Sequence, residues 1–201
     1  MKTDYYISVS ESATLFSKVY QTMVMFKKSD FKKIKNQSSI VFKSSLLGEL
    51  NPLERYELLQ LCHRRKYKEG EYIYYQNDPG TGMYFIEEGT VRLAVSDGSE
   101  DMSQYHVDLM APSEFGTMSI GYDIRRLSSA QCQTECTLLG FFKPDFETLK
   151  KRHPETAVKF LEAVSTQAMR QLEHTMRKLT EILDIKEAFS LLYPNSGNSE
   201  V

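Results

Sequence analysis

From Cys62 to Phe142 apolar and polar residues alternate with a period near two; on either side they recur at helical spacing. Alternation bounded by Gly, Asn and Asp marks short half-buried strands. The pattern predicts strands at Tyr72–Tyr75, Met83–Ile86, Thr90–Val95, Ser103–Leu109, Ser129–Glu135 and Thr137–Phe142. Turns fall at Gly70, Asn77-Asp78-Pro79-Gly80, Glu88-Gly89 and Asp97-Gly98, where the residue types supply the backbone angles that reversals need. Short strands at regular spacing predict a mainly β fold, a jelly-roll-like β-roll with flanking helices.

The flanks read as helices. Leu15, Phe16, Val19, Tyr20, Met23 and Phe26 give an apolar face within residues 1–42, an N-terminal helical extension. Residues 44–61 read as an apolar turn followed by a helix. Asn51 suits its N-cap and Pro52 its first position, and Leu53, Tyr56, Leu58, Leu59 and Leu61 form its apolar face. After the strands, Lys143-Pro144-Asp145 opens a short helix carrying Phe146 and Leu149. Between Pro154 and Asp184 there is no Gly and no further Pro. Val158, Leu161, Val164, Ala168, Leu172, Thr175 or Met176, Leu179 and Ile182 or Leu183 mark a stripe near 3.5 residues per repeat, the period of a coiled-coil seam. About 30 residues at ~1.5 Å each reach ~45 Å, longer than a small roll can cover, so a homodimer through this helix is expected. A last short helix is expected at Lys186–Tyr193 and a loose polar tail at Pro194–Val201. The expected organisation is thus an extension (1–42), the roll with its entry helix (43–153), a long C-terminal helix (154–186) and a short helix with tail (187–201).

Composition narrows the function classes. The chain has 201 residues, 41% of them hydrophobic, enough for a sizeable core, and a net charge of −2 that favours no nucleic acid. No apolar run is long enough to span a bilayer, and the first twelve residues carry an acid and no apolar h-region, so a cytoplasmic protein is expected. Lys18 to Lys35 holds six lysines against one aspartate. Contact with a membrane surface or acidic partner is one reading; a helix with a solvated basic face is the favoured one. Cys62, Cys132 and Cys136 have no metal-like spacing and read as buried thiols. His63, His106, His153 and His174 are too scattered for a cupin-type metal site, and no nucleophile–base arrangement is legible. A catalytic role, a metal and a cofactor are therefore not expected.

The one stretch dense in candidate chemistry is Phe115 to Cys132, FGTMSIGYDIRRLSSAQC. Gly116 lets the backbone turn and approach a ligand. A short helical turn after it would aim N–H groups at an anion. An arginine about ten residues on could return a guanidinium fork to a phosphate. Arg125 and Arg126 point to opposite faces of an extended segment, so only one of them should enter.

These residues resemble the phosphate-binding cassette of the cyclic nucleotide-binding domain family, which includes catabolite activator proteins and the regulatory subunits of cAMP-dependent kinase. Phe115, Gly116, Met118, Ser119, Ile120, Arg126, Ser128 and Ser129 fall on the pattern without a gap. The segment DPGTGMYFIEEGTVRL is similar to adjoining strands of the same family's roll, and residues 44–61 to its entry helix. The resemblance implies a non-catalytic regulatory module binding cAMP or cGMP and passing its occupancy to the C-terminal helix and an output protein. It selects Arg126 for the phosphate, with Gly116, Thr117, Met118 and Ser119 around it and backbone N–H groups near Ser119, Leu127 and Ser128 completing the cage. It sets Gln171 and then Thr175 toward the base. Thr117 departs from the family, which has a glutamate there that grips the ribose hydroxyl. That departure leaves room for a cyclic dinucleotide, for a scaffold with no nucleotide, or for Glu114, close in sequence, as a substitute acceptor. The family's transcription factors carry a helix-turn-helix after the long helix; no room for one remains here, so DNA binding is not expected.

Overall fold

The computed structural model describes residues 43–96 and 105–192. The expectations for the basic N-terminal helix and its membrane or partner contact, for the Asp97-Gly98 turn and for the C-terminal tail concern residues outside these. The described elements run α1 (Pro52–Gln60), β1 (His63–Tyr67), β2 (Tyr72–Tyr74), β3 (Gly82–Glu88), β4 (Thr90–Ala94), β5 (His106–Met110), β6 (Glu114–Phe115), α2 (Met118–Gly121), β7 (Ser129–Cys132), β8 (Cys136–Phe142), α3 (Lys143–Arg152), α4 (Pro154–Ile182) and α5 (Ile185–Leu192). No helix among them is long and apolar enough to cross a membrane.

Two four-stranded antiparallel sheets form the roll, in the orders β1-β8-β3-β6 and β2-β7-β4-β5. The strands β3 and β8 explain how one sheet serves two cores. Side chains alternate between faces along a strand. Tyr84, Ile86 and Leu138 point into the roll, where they meet Val91, Phe115, Ala130, Cys132 and Cys136. Their neighbours Met83, Phe85, Leu139 and Phe141 point outward and are covered by Leu47, Leu58, Phe146, Leu149 and Phe160 of the helical layer. A strand covered on both faces reads as a continuous apolar run, as MYFI does. The edge strand β1, HRRKY, carries its charges in solvent, a composition that discourages pairing with another chain.

The entry helix α1 starts as the sequence predicts. Asn51 Oδ1 accepts from the N–H groups of Leu53 and Glu54, and Glu54 Oε2 accepts from the Asn51 N–H. This capping box satisfies donors that a helix start leaves open. The apolar face differs from expectation. Leu53 is exposed, while Glu54 is buried at 8% exposure. Glu54 can be buried because its second oxygen accepts from Lys159 Nζ of α4 at 2.6 Å. Burial works to raise the Glu54 pKa, but the lysine and the Asn51 N–H outweigh it and hold the carboxyl below the ordinary glutamate range.

The long helix is present, but a different face meets the roll. Ala157, Phe160 and Val164 are buried, and Phe160 packs edge-on against Phe141 at 5.4 Å between ring centroids. Val158 is 57% exposed, and Leu161 and Leu172 are also exposed. Only Val164 belongs both to the expected stripe and to the buried face. The helix also ends at Ile182, before Asp184: Leu183 is extended, and Asp184 Oδ1 accepts from the Lys186 N–H to start α5. Ala188 is the buried residue of α5.

Candidate functional site

The cassette is one arm of a ladder. Gly116, at φ 76°, turns the chain from β6 into the single turn of α2. The chain then extends from Tyr122 and runs beside the Asn77–Gly80 turn. Gly80 N–H donates to the Ile124 carbonyl, Arg126 N–H to that of Asp78, and Asn77 N–H to that of Arg126, all at 2.8–2.9 Å. The DPG segment and the cassette, apart in sequence, are thus hydrogen-bonded sides of one site.

This ladder separates the two arginines. Arg125 is exposed, and its Nη1 donates to the Asn77 carbonyl at 2.7 Å. Arg126 turns inward and is 5% exposed. Its Nη1 donates to Ser119 Oγ at 3.0 Å and its Nη2 to the Gly82 carbonyl at 2.8 Å. The guanidinium lies 4.1 Å above the Tyr74 ring, a cation–π contact. Burial pushes the Tyr74 hydroxyl up to about 12, against the opposing pull of Arg126. An added Cβ at Gly116 would stand 2.5 Å from Arg126 Nη1, so a side chain there would displace the guanidinium from its present position. Arg126 Nε is buried and has no hydrogen-bond partner among the described residues. A guanidinium with two donors held and a third orphaned is suited to an incoming acceptor, and a charged donor favours an anion.

A cavity of about 970 Å³ opens in front of this group, large enough for a small-molecule ligand. Gly116, Thr117, Met118 and Ser119 line it, as do Arg126, Leu127 and Ser128. From α4 come Gln171, which was expected, and Gln167, which was not. Thr175 is not among the lining residues: it is exposed one turn beyond Gln171, where α4 has left the roll. The cage also needs a correction at Ser119. Its N–H donates to the Gly116 carbonyl at 3.1 Å, so its contribution is the hydroxyl that holds Arg126. The N–H groups of Leu127 and Ser128 make no backbone hydrogen bond among the described residues.

Further lining residues set the charge and polarity. Glu114 is the only carboxylate among the described lining residues, against Lys43, Arg125 and Arg126, so the cavity favours an anion. Leu93, Val107 and Leu109 supply an apolar wall. Sequence reasoning left out Tyr74 and Gln167, and offered Glu114 only as a nearby substitute for the glutamate missing at position 117, with no geometric argument for it. Gln167 was findable, since it lies one helical turn before Gln171 on the same face. Tyr74 was not, because its ring meets Arg126 only through the pairing of β2 with β7.

Residues 64–153 match the family described as the cyclic nucleotide-binding domain. The chain is 34% identical over 116 residues to the cyclic AMP receptor protein of Thermus thermophilus, covering 57% of this chain and 52% of that protein. It is 38% identical over 79 residues to the cAMP-dependent protein kinase type II regulatory subunit of Drosophila melanogaster, covering 38% of this chain and 21% of that one. The chain therefore spans about half or less of the length of these relatives. The crystal structure of the Thermus thermophilus catabolite activator protein superposes with a TM-score of 0.56 at 28% identity, covering 67% of this chain and 62% of that one.

Proposed function

We propose that this chain, a member of the cyclic nucleotide-binding domain family through residues 64–153, is a non-catalytic sensor whose cavity takes a cyclic mononucleotide. The observation that carries the reading is the orphaned Nε of buried Arg126 at the base of a cavity dominated by positive charge. The phosphate of cAMP or cGMP accepts from Arg126 and from the N–H groups of Leu127 and Ser128. The base lies on the apolar wall of Leu93 and Leu109, with Gln171 above it. Because α4 contributes to the cavity, occupancy alters how that helix rests on the roll, and an output protein reads the change.

A second copy of the chain covers the exposed face of α4 and α5. Support comes from Met169, Leu172, Ile182, Ile185, Phe189 and Leu191, all large, apolar and exposed. Leu172→Glu then yields monomers in light scattering at a concentration where the unmodified chain is dimeric; a monomeric unmodified chain removes this part of the proposal.

Thr117 favours a second reading. A neutral hydroxyl replaces an acceptor whose charged hydrogen bond contributes ~1.5–3 kcal/mol, a loss of about 10- to 100-fold in affinity. A scaffold with an empty pocket, or a site for a cyclic dinucleotide, is consistent with that loss. Calorimetric titration of the full chain with cAMP, cGMP and a cyclic dinucleotide separates the readings. Binding of a mononucleotide, tightened in Thr117→Glu, supports the sensor. No heat from either mononucleotide, in the unmodified chain or in Thr117→Glu, rejects it.

A further inference from the structure

Gln167 on α4, which lines the cavity, carries a second orphaned atom. Its Nε2 donates to Glu114 Oε1 at 3.1 Å, while its Oε1 is buried and has no hydrogen-bond partner among the described residues. The amide cannot simply be turned over, because that would set its oxygen against a carboxylate oxygen. Glu114 fixes the orientation and thereby strands the acceptor. The other Glu114 oxygen accepts from Ser44 Oγ at 3.1 Å. Burial raises the Glu114 pKa, with Ser44 and Gln167 acting in the opposite direction. Each carboxylate oxygen retains room for a further donor.

The two orphans are of opposite kinds and belong to residues that line one cavity: Arg126 Nε lacks an acceptor and Gln167 Oε1 lacks a donor. Unpaired buried polar atoms are uncommon in folded proteins. Together they specify a ligand that carries both an anion and a hydrogen-bond donor. A cyclic nucleotide phosphate is a diester and has no hydroxyl of its own. The donor nearest to it is the 2′-hydroxyl, on the carbon next to the one that bears the phosphate ester. Position also agrees, since Glu114 lies two residues before the glycine against which the Arg126 guanidinium rests.

We infer that Glu114 and Gln167 together accept the ribose 2′-hydroxyl, so that sugar recognition in this chain comes from β6 and α4 rather than from position 117. The inference rests on the cyclic-nucleotide reading of the cavity. It has a structural consequence. The sugar hydroxyl enters a set of bonds that already joins Ser44 ahead of α1, Glu114 beside the cassette and Gln167 on α4. Ribose occupancy is therefore felt on both helical flanks at once.

The test is calorimetric titration of the full chain with cAMP, cGMP and the 2′-deoxy analogue of each. The unmodified chain prefers ribose by about 10- to 100-fold, the range for a charged hydrogen bond. Glu114→Gln and Gln167→Met, both close in shape to the original, each reduce that preference to about threefold or less, by weakening the ribose form alone. Thr117→Val leaves the preference in place. Equal binding of ribose and deoxyribose forms by the unmodified chain overturns the assignment but leaves the nucleotide reading standing. So does a preference that survives in both variants, or one that Thr117→Val abolishes. Should one variant fail to fold, the other decides. Absence of binding by any of the four nucleotides overturns the cavity reading and this inference together.

Discussion

Replacing Gly116 by alanine probes the cradle on which the cassette depends. Two costs are readable from the structure. Gly116 sits at φ 76°, and an L-residue in the left-handed region costs ~1–2 kcal/mol. The new Cβ would stand 2.5 Å from Arg126 Nη1 and 3.2 Å from the Gly82 carbonyl oxygen. A guanidinium can move, but here the move of roughly 1 Å to ordinary contact breaks the bond to Ser119 Oγ, a hydrogen bond of a charged group that contributes ~1.5–3 kcal/mol. The sum is ~2.5–5 kcal/mol. At ~2–4 °C per kcal/mol for a chain of this size, the melting temperature falls by ~5–20 °C. Gly70 provides the control. It has φ 79°, and nothing lies within 4 Å of its would-be Cβ, so Gly70→Ala incurs the backbone cost alone. Thermal unfolding of both variants, followed by circular dichroism, isolates the difference. If the two substitutions cost the same, Arg126 is not held against Gly116 as described, and the account of the cradle fails.

Two glutamates should leave opposite marks on the pH dependence of stability. The Glu54 pKa is lowered, so its contribution is complete above the ordinary glutamate value and is lost as the pH falls through the lowered one; Glu54→Gln flattens the acid side of the profile. The Glu114 pKa is raised, so its contribution is complete below the ordinary value and is lost as the pH rises through the raised one; Glu114→Gln removes that loss on the neutral side. Denaturant titrations across the acid range would contradict this if the two variants shifted in the same direction. Phe160→Ala in the face that meets the roll costs ~3–5 kcal/mol. Val158→Ala on the exposed face costs under ~1 kcal/mol in the monomer, and equal losses would mean that the wrong face has been assigned.

How much of this protein was legible in its sequence depended on the range of the interactions. Six of the eight described strands could be read because alternation follows from the pleat; β1 and β6 were not, and that MYFI is covered on both faces emerged only from the packing of the helical layer. The α1 start was legible because Asn51 and Pro52 act within one turn; the Glu54 half of the capping box appeared only in the structure. Glycine at 116 and an arginine ten residues on set out the cassette, because that loop closes on itself. The choice of Arg126 over Arg125 needed the family resemblance, and the structure explains it through pairing with Asn77–Gly80.

The rest was decided by tertiary structure. The sequence of α4 contains two apolar faces, Ala157-Phe160-Val164 and Val158-Leu161-Leu172, and periodicity alone does not say which one the roll will cover. The stop at Leu183 carries no Gly or Pro, so it left no sign beyond Asp184 as a cap. Leu53 and Glu54 exchanged their expected burial because Lys159, 105 residues away, supplies the ion pair that makes a buried carboxylate tolerable. The bond from Gln167 to Glu114 spans 53 residues and depends on how α4 lies over the cassette. Local chemistry sets where the chain turns, caps and alternates; which polar groups find partners, and which are left orphaned, is settled only when distant segments pack and water is excluded.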